Sequence, residues 1–396
     1  MAEKRTSTEL FLAEFDVYPD HGFLPKPDPI PLLRKFGGLL PPYDIWEDLA
    51  QNLPKFLPTG KIRLLIYELP VVDTAPLQGR QNDLAMLYLS FLGHAFKWTP
   101  FEEPAAKFSK GLAVPWYNVS KKLGRPPVLS YASYALFNWH RINLVGPIEM
   151  GNIAIHQNFL GGLDEDWFIL IHIDIEAKAG PAIVAGVEVH KNKTVNNLEA
   201  TTRNLSTIAE AVEKMYKTLL RMPEGCDEYI YYNRVRPYIH GFTEHPVIYE
   251  GVEEYGGKPQ YFFGETGAQS SIIPFLDAVL GLGHDENDKF DQYLLKMRDY
   301  MPPKHRKLIE LFETLPSLHE YVLNNYHKYP RIRDAYNECI NWVIIFLEKH
   351  LEYAARYIHK QHQANIHNPT AVGTGGTPFM EYLKKHTERR KSYIIA

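Results

Sequence analysis

Apolar residues recur every three to four positions over several long stretches of the second half of the chain. In NNLEATTRNLSTIAEAVEKMYKTLLRM (196–222), Leu, Ile, Ala, Val and Met fall at helical spacing. The same period runs through KFDQYLLKMRDYM (289–301), HRKLIELFETL (305–315) and RIRDAYNECINWVIIFLEKHLEYAARYIHKQ (331–361). The first part offers two such stretches. GRQNDLAMLYLSFLGHAF (79–96) puts Leu84, Leu87, Tyr88, Phe91 and Leu92 along one stripe, and SYASYALFNWHRI (130–142) is a second helix. More than half of the 29 prolines lie within residues 1–150, so segments such as FLPKPDPIPLL and LLPPYD read as extended or turning chain. The pattern predicts a mainly α protein. A smaller, proline-rich, mixed α/β domain spans 1–155, and a larger all-helical domain spans 156–396.

One segment carries a different period. DWFILIHIDIEAKAG (166–180) alternates Ile171, Ile173 and Ile175 with His172, Asp174 and Glu176. Taken locally, β-branched residues at period two mean a strand. On a strand, His172, Asp174 and Glu176 would share a face and make a non-haem metal site.

The 331–361 stretch contains a histidine where a helix should be apolar. At 100° per residue, His350 falls on one stripe with Tyr336, Val343, Leu347, Ala354 and Ile358. Asn341, Glu348, Lys349, Glu352 and Arg356 take the opposite arc. A histidine in such a place is either a hydrogen-bonded core residue or a ligand. A haem needs one imidazole on a rigid element and an apolar wall. Cys226 and Cys339 are the only cysteines, which rules out a disulfide framework and an all-cysteine zinc site. His359, His362 and His367 follow His350, and a solvated loop accounts for them better than metal capture.

Bulk properties narrow the function classes. At 396 residues, two domains are expected, and a net charge of -4 gives no reason to expect nucleic acid or an anionic membrane. No apolar run approaches a membrane span. The start, MAEKRTSTELFLAEF, has charges that break any secretory core, so a cytoplasmic protein is expected. Near the end, AVGTGGTPFM (371–380) sets three glycines among threonines ahead of a helix. It lacks the Lys-Ser/Thr of a phosphate loop. Thr377 and Pro378 suit a helix start.

Several segments together resemble the indoleamine 2,3-dioxygenase family of haem enzymes. They are SKKLGRPPVLSYASYALFNW (120–139), YYNRVRPYIHGF (231–242), GETGAQSS (264–271), MRDYMPPKHRKLIE (297–310), the His350 helix and GTGGT (373–377), in that order. The resemblance implies haem b held between the two domains, with His350 as proximal iron ligand and Thr266 and Gly267 beside the haem propionates. It implies an indole substrate and O₂ as reactants, and an electron donor that keeps the iron ferrous. Oxygen is then added across the indole C2–C3 bond, giving an N-formylkynurenine-type product. Tyr131, Tyr134, Phe168, Tyr231 and Tyr232 fall around the distal pocket. Arg236 falls on the position that binds the substrate carboxylate, and Thr374 on the threonine that closes over the amino-acid end. The resemblance also places 166–180 on a helix, and that placement is preferred to the local strand pattern.

Three departures stand out. His172 takes a distal position that is serine in the familiar animal enzymes, and it is the expected catalytic group, hydrogen-bonded to the indole N–H. Tyrosines stand at 231 and 232 where phenylalanine is common. Pro237 follows the arginine, where it would disturb a helix. Two other readings keep the fold: different oxidative chemistry on an indole in secondary metabolism, and a non-catalytic haem-binding sensor.

Overall fold

The computed structural model describes residues 6–30, 42–285, 287–361 and 379–396. The protein is mainly α, as the apolar periodicity requires. Helices Leu198–Leu220 and Pro330–Ala354 are the longest and pack side by side, and Gly180–Thr194 packs on the first of them. Helices Arg80–Lys97, Lys289–Met297 and Pro303–Glu313 stand where the periodic stretches predict them. The 130–142 stretch gives less helix than its pattern suggests. A single wide, π-helical turn spans Ala132–Leu136, and the chain is extended by His140.

Among the described residues the β content is two short ladders and two isolated bridges. Lys107–Phe108 runs parallel to Ile248–Tyr249, and His140–Arg141 runs antiparallel to Ile153–Ala154. The first part is therefore helical too, with Ser7–Glu14, Asp44–Gln51, Ile62–Tyr67 and Lys110–Leu123. A capping box starts the first of these: Thr6 receives the Glu9 N–H while the Glu9 carboxylate receives the Thr6 N–H.

Residues 166–180 are helical, within Leu163–Lys178 and the start of the next helix. The strand pattern has a physical cause. Ile169, Ile173 and Ala177 face one hydrophobic core, which also gathers the 80–97 and 110–123 helices. Ile171 and Ile175 face a second core, built from the 198–220, 272–280 and 330–354 helices. A helix sandwiched between two cores is apolar on opposite sides, and that mimics alternation. The third stripe, at 100° per residue, is Phe168, His172 and Glu176. The metal-site reading falls with the strand: Asp174 turns away to accept a hydrogen bond from Thr218 (2.8 Å), and no group of three metal-binding side chains occurs among the described residues.

Pro237 causes no break. Tyr231–Val235 is a π-helical turn, and Arg236–Ile239 begins a new helical turn with the proline in its first positions. There the missing N–H is harmless. A third π-turn, Ala355–His359, continues the long helix past Ala354. No described helix is long and apolar enough to cross a membrane.

Candidate active site

A large cavity opens between the 163–178 helix, the 264–274 segment and the C-terminal end of the 330–354 helix. It encloses about 1810 Å³ not occupied by atoms, part of it open to solvent. Its wall includes Tyr131, Phe168, His172, Tyr231, Thr266, Gly267 and His350. Seven of the residues singled out from the sequence thus converge on one space.

His350 sits where the helical stripe places it, flanked along that stripe by buried Val343, Leu347 and Ala354. Its ring is half-buried, because one edge looks into the cavity. Burial, with repulsion from His172 added, pushes His350 down to about 4, so the imidazole is neutral at neutral pH. Among the described residues neither ring nitrogen has a hydrogen bond, so a lone pair is available in the cavity. A Cβ added at Gly267 would stand 4.0 Å from His350 Nε2, so this glycine leaves room beside the imidazole.

His172 is fixed differently. Its Nδ1 lies 2.7 Å from the carbonyl oxygen of Phe168, one helical turn back. A carbonyl only accepts, so Nδ1 carries the hydrogen and Nε2 keeps a lone pair for the cavity. Burial lowers the pKa of His172, which keeps the ring neutral. The Phe168 ring packs 4.6 Å from His172 and 4.7 Å from Tyr231, and the Tyr131 ring meets His172 edge-on at 5.9 Å. Together these rings make an aromatic slot suited to a flat apolar ligand.

The remaining predicted residues stand behind this wall. Tyr134 is buried, 6.3 Å from the Phe168 ring, and is not on the cavity surface. Tyr232, the neighbour of Tyr231, points the other way, and the buried Arg236 guanidinium lies 5.3 Å from its ring. Arg236 is likewise off the wall, and burial lowers its pKa while Tyr231, Tyr232 and Glu244 hold it up. Thr374, with the rest of GTGGT, lies outside the described residues, as do His362 and His367.

Two carboxyl groups stand at the site in places the sequence did not assign: Glu176, read there only as a possible metal ligand on a strand, and Glu265. Glu176 accepts hydrogen bonds from the Tyr131 hydroxyl (2.9 Å) and the Ser270 hydroxyl (2.7 Å), and burial pushes it up to about 7. It stands four residues beyond His172, so helical spacing could have found it. Glu265 is buried and on the cavity wall. It lies inside the GETGAQSS segment, and its chemistry was the available signal. A further polar edge is formed by His284 and Arg298, with Arg298 Nη1 donating to Glu313 Oε2 at 2.8 Å.

The 264–270 segment is held rigidly. Gln269 bridges it to the start of the 132–136 turn, accepting from the Tyr131 N–H (2.9 Å) and donating to the Gly264 carbonyl (2.8 Å). Gly241 and Gly264 lie back to back, and a Cβ at Gly241 would fall 2.2 Å from the Gly264 nitrogen. The Gly241→Ala variant is expected to lose about 1–3 kcal/mol of stability from this overpacking. A chemical-denaturation midpoint measured against the parent checks it, and an unchanged midpoint would show that the two segments can move apart.

The residues fit a haem. They offer two neutral imidazoles with open lone pairs, a cavity with apolar and aromatic walls, and no accessible thiolate. Cys226 and Cys339 are both buried, and burial pushes their thiols up. A helical protein with a histidine-bearing slot of this kind is a haem-protein architecture. The family described as indoleamine 2,3-dioxygenase matches residues 11–392. Indoleamine 2,3-dioxygenase 1 of Rattus norvegicus is 32% identical, over 97% of this chain and 96% of the relative. The indoleamine 2,3-dioxygenase acdA of Aspergillus candidus is 31% identical over 95% of this chain and 96% of its own length. A protein of Haliotis madaka named myoglobin is 27% identical over 96% of this chain and 99% of its length. The chain belongs to the indoleamine 2,3-dioxygenase family, and it is a haem-dependent dioxygenase acting on indoles.

Proposed function

We propose that the substrate is L-tryptophan or a close indoleamine and the product an N-formylkynurenine. The observation that carries this is the pairing of His172 and His350 on one cavity wall, each neutral and each with a ring lone pair open to it. His350 would hold the iron from one side. Haem, when bound and ferrous, supplies the binding and activation of O₂. Gly267 lies beside the His350 imidazole and Thr266 precedes it on the cavity wall, so both would border the haem edge.

This chain's residues then handle the indole. Phe168, Tyr131 and Tyr231 take the ring in the aromatic slot and keep water from it. His172 Nε2 can only accept, because Nδ1–H is committed to the Phe168 carbonyl. The indole N–H can only donate. The two therefore match, and the contact orients C2 and C3. Glu176 holds the Tyr131 hydroxyl and so fixes the slot's second wall. Arg236 supplies the cation for the substrate carboxylate from behind the wall, beside Tyr232. A reductant outside the chain keeps the iron ferrous. The two parts of the chain, 1–155 and 156–396, would close on the haem from opposite sides.

The test is aerobic incubation of haem-loaded protein with L-tryptophan and a reductant, followed by product identification. Formation of a kynurenine-type product supports the reading. Intact haem with no product would favour a non-catalytic haem protein instead, a role suggested by the relative named myoglobin. The His172→Ala variant is expected to lose roughly tenfold in kcat/KM for L-tryptophan, the value of about one hydrogen bond. The loss for 1-methyltryptophan, which has no N–H, should be clearly smaller. Equal losses for both would remove His172 from the indole nitrogen.

A further inference from the structure

Haem b carries two propionates, and a carboxylate set against apolar and aromatic walls is costly unless a cation or hydrogen-bond donors meet it. Among the described residues the cavity wall holds one arginine, Arg298, and no lysine. Asp277, on the same wall, is paired with Arg390 and so brings its own cation. Arg298 is held in place by its neighbours. Its Nη1 and Nη2 take the Glu313 carboxylate as a fork, at 2.8 and 2.5 Å, and Nη2 also lies 3.1 Å from His284 Nε2. Burial opposes the charge of Glu313, but hydrogen bonds from His284 and Arg298 hold its pKa down at about 2, so the fork persists at neutral pH. A guanidinium has five N–H donors. The fork uses two and His284 at most one more. Nε–H and the second Nη1–H remain without a partner among the described residues.

The surrounding contacts bring this arginine to the edge beside the proximal imidazole. Gly267 borders the His350 ring. Gln269, two residues on, reaches Met297, with Nε2 3.9 Å from Sδ, and Met297 directly precedes Arg298. The Phe263 N–H donates to the Tyr300 hydroxyl (2.9 Å), so the 263–269 segment and the 297–300 turn form one continuous edge. We infer that Arg298, backed by Glu313 and flanked by His284, is a cofactor-binding residue that receives a haem propionate at this edge. The inference rests on haem occupying the cavity with His350 on its iron. An iron–imidazole bond alone leaves a porphyrin free to turn about that bond. One anchored propionate fixes the turn and so decides which edge of the ring faces the indole slot. Arg236 lies off the wall, so the two arginines serve different anions.

The experiment compares the full chain loaded with haem b and with its dimethyl ester, in which both propionates are capped and uncharged. Release into excess serum albumin is followed by the Soret band for the parent, for Arg298→Gln and for Arg298→Gln/Glu313→Gln. The double variant leaves no carboxylate stripped of its partner, and it decides by the same criteria if the single one does not fold. Loss of a charge-assisted hydrogen bond should speed the release of haem b by about tenfold or more. The ester should leave the variants at nearly the parent's rate, which also reports an intact cavity. Equal acceleration for both porphyrins makes Arg298 a support of the wall and overturns the assignment. No acceleration for either places the propionates elsewhere and overturns it too. A parent that releases the ester as slowly as haem b does not read the propionates at all, which removes Arg298 and leaves His350 standing. If the parent retains neither porphyrin, the haem site and this assignment fall together.

Discussion

The His350→Ala variant is expected to fold and to lose its haem. The loss should exceed the roughly 10–100-fold that removing an outer-shell partner costs a metal site, because here the ligand itself goes. Little stability should go with it. His350 is half-buried and makes no hydrogen bond among the described residues, so its removal leaves no polar group orphaned. Haem per chain and the Soret spectrum measure the effect, and far-ultraviolet circular dichroism checks the fold. Added imidazole should restore part of the haem spectrum by entering the space vacated. A variant with full haem content and unchanged bands would place the iron on another residue, and His172 would be the first to test.

The second large effect is expected at Arg236. A guanidinium offers a planar fork that matches a carboxylate, and lysine does not reproduce it. Losing a charged hydrogen bond worth roughly 1.5–3 kcal/mol should lower kcat/KM for L-tryptophan by about tenfold to a hundredfold. Tryptamine has no carboxylate and should be nearly unaffected, so the preference for L-tryptophan should collapse. The ratio of the two substrates is the useful readout, because any general damage to the fold cancels from it. Such damage is to be expected in some degree, since the side chain is fully buried against Tyr232. If Arg236→Ala keeps the full preference, the guanidinium is a structural part of the wall and the carboxylate is bound elsewhere.

Much of the site could be read from residues because it is local. The position of His350 on its stripe needed only helical periodicity, and the Tyr336, Val343, Leu347 and Ala354 around it are buried as the wheel requires, while its role as a ligand came from the family resemblance. His172 was harder. Its neighbourhood alternates like a strand, and nothing local says that two separate cores flank one helix. That information lies in residues such as Leu112 and Val212, far off in sequence and packed into different cores. The same limit explains Glu176 and Glu265. Each is an ordinary acid until tertiary packing sets it against Tyr131 or buries it on the cavity wall. In the first part the strands are short, two residues each, and the proline-rich chain makes short helices and turns around the 80–97 helix.

The three wide turns have an effect of their own. At each one a tyrosine reaches the cavity: Tyr131 just before 132–136, Tyr231 at the start of 231–235, and Tyr357 inside 355–359. A π-turn closes its hydrogen bond one residue later than an α-turn, so it holds one surplus residue. That surplus sets the phase of everything after it. Deleting a single residue from 231–235 would let the turn relax to ordinary pitch and would rotate Arg236 by about 100° relative to Tyr231. The pocket is thus tuned by chain length as well as by side-chain identity. Within this fold, a one-residue insertion or deletion at any of these turns is a route to a new substrate that no point substitution can imitate.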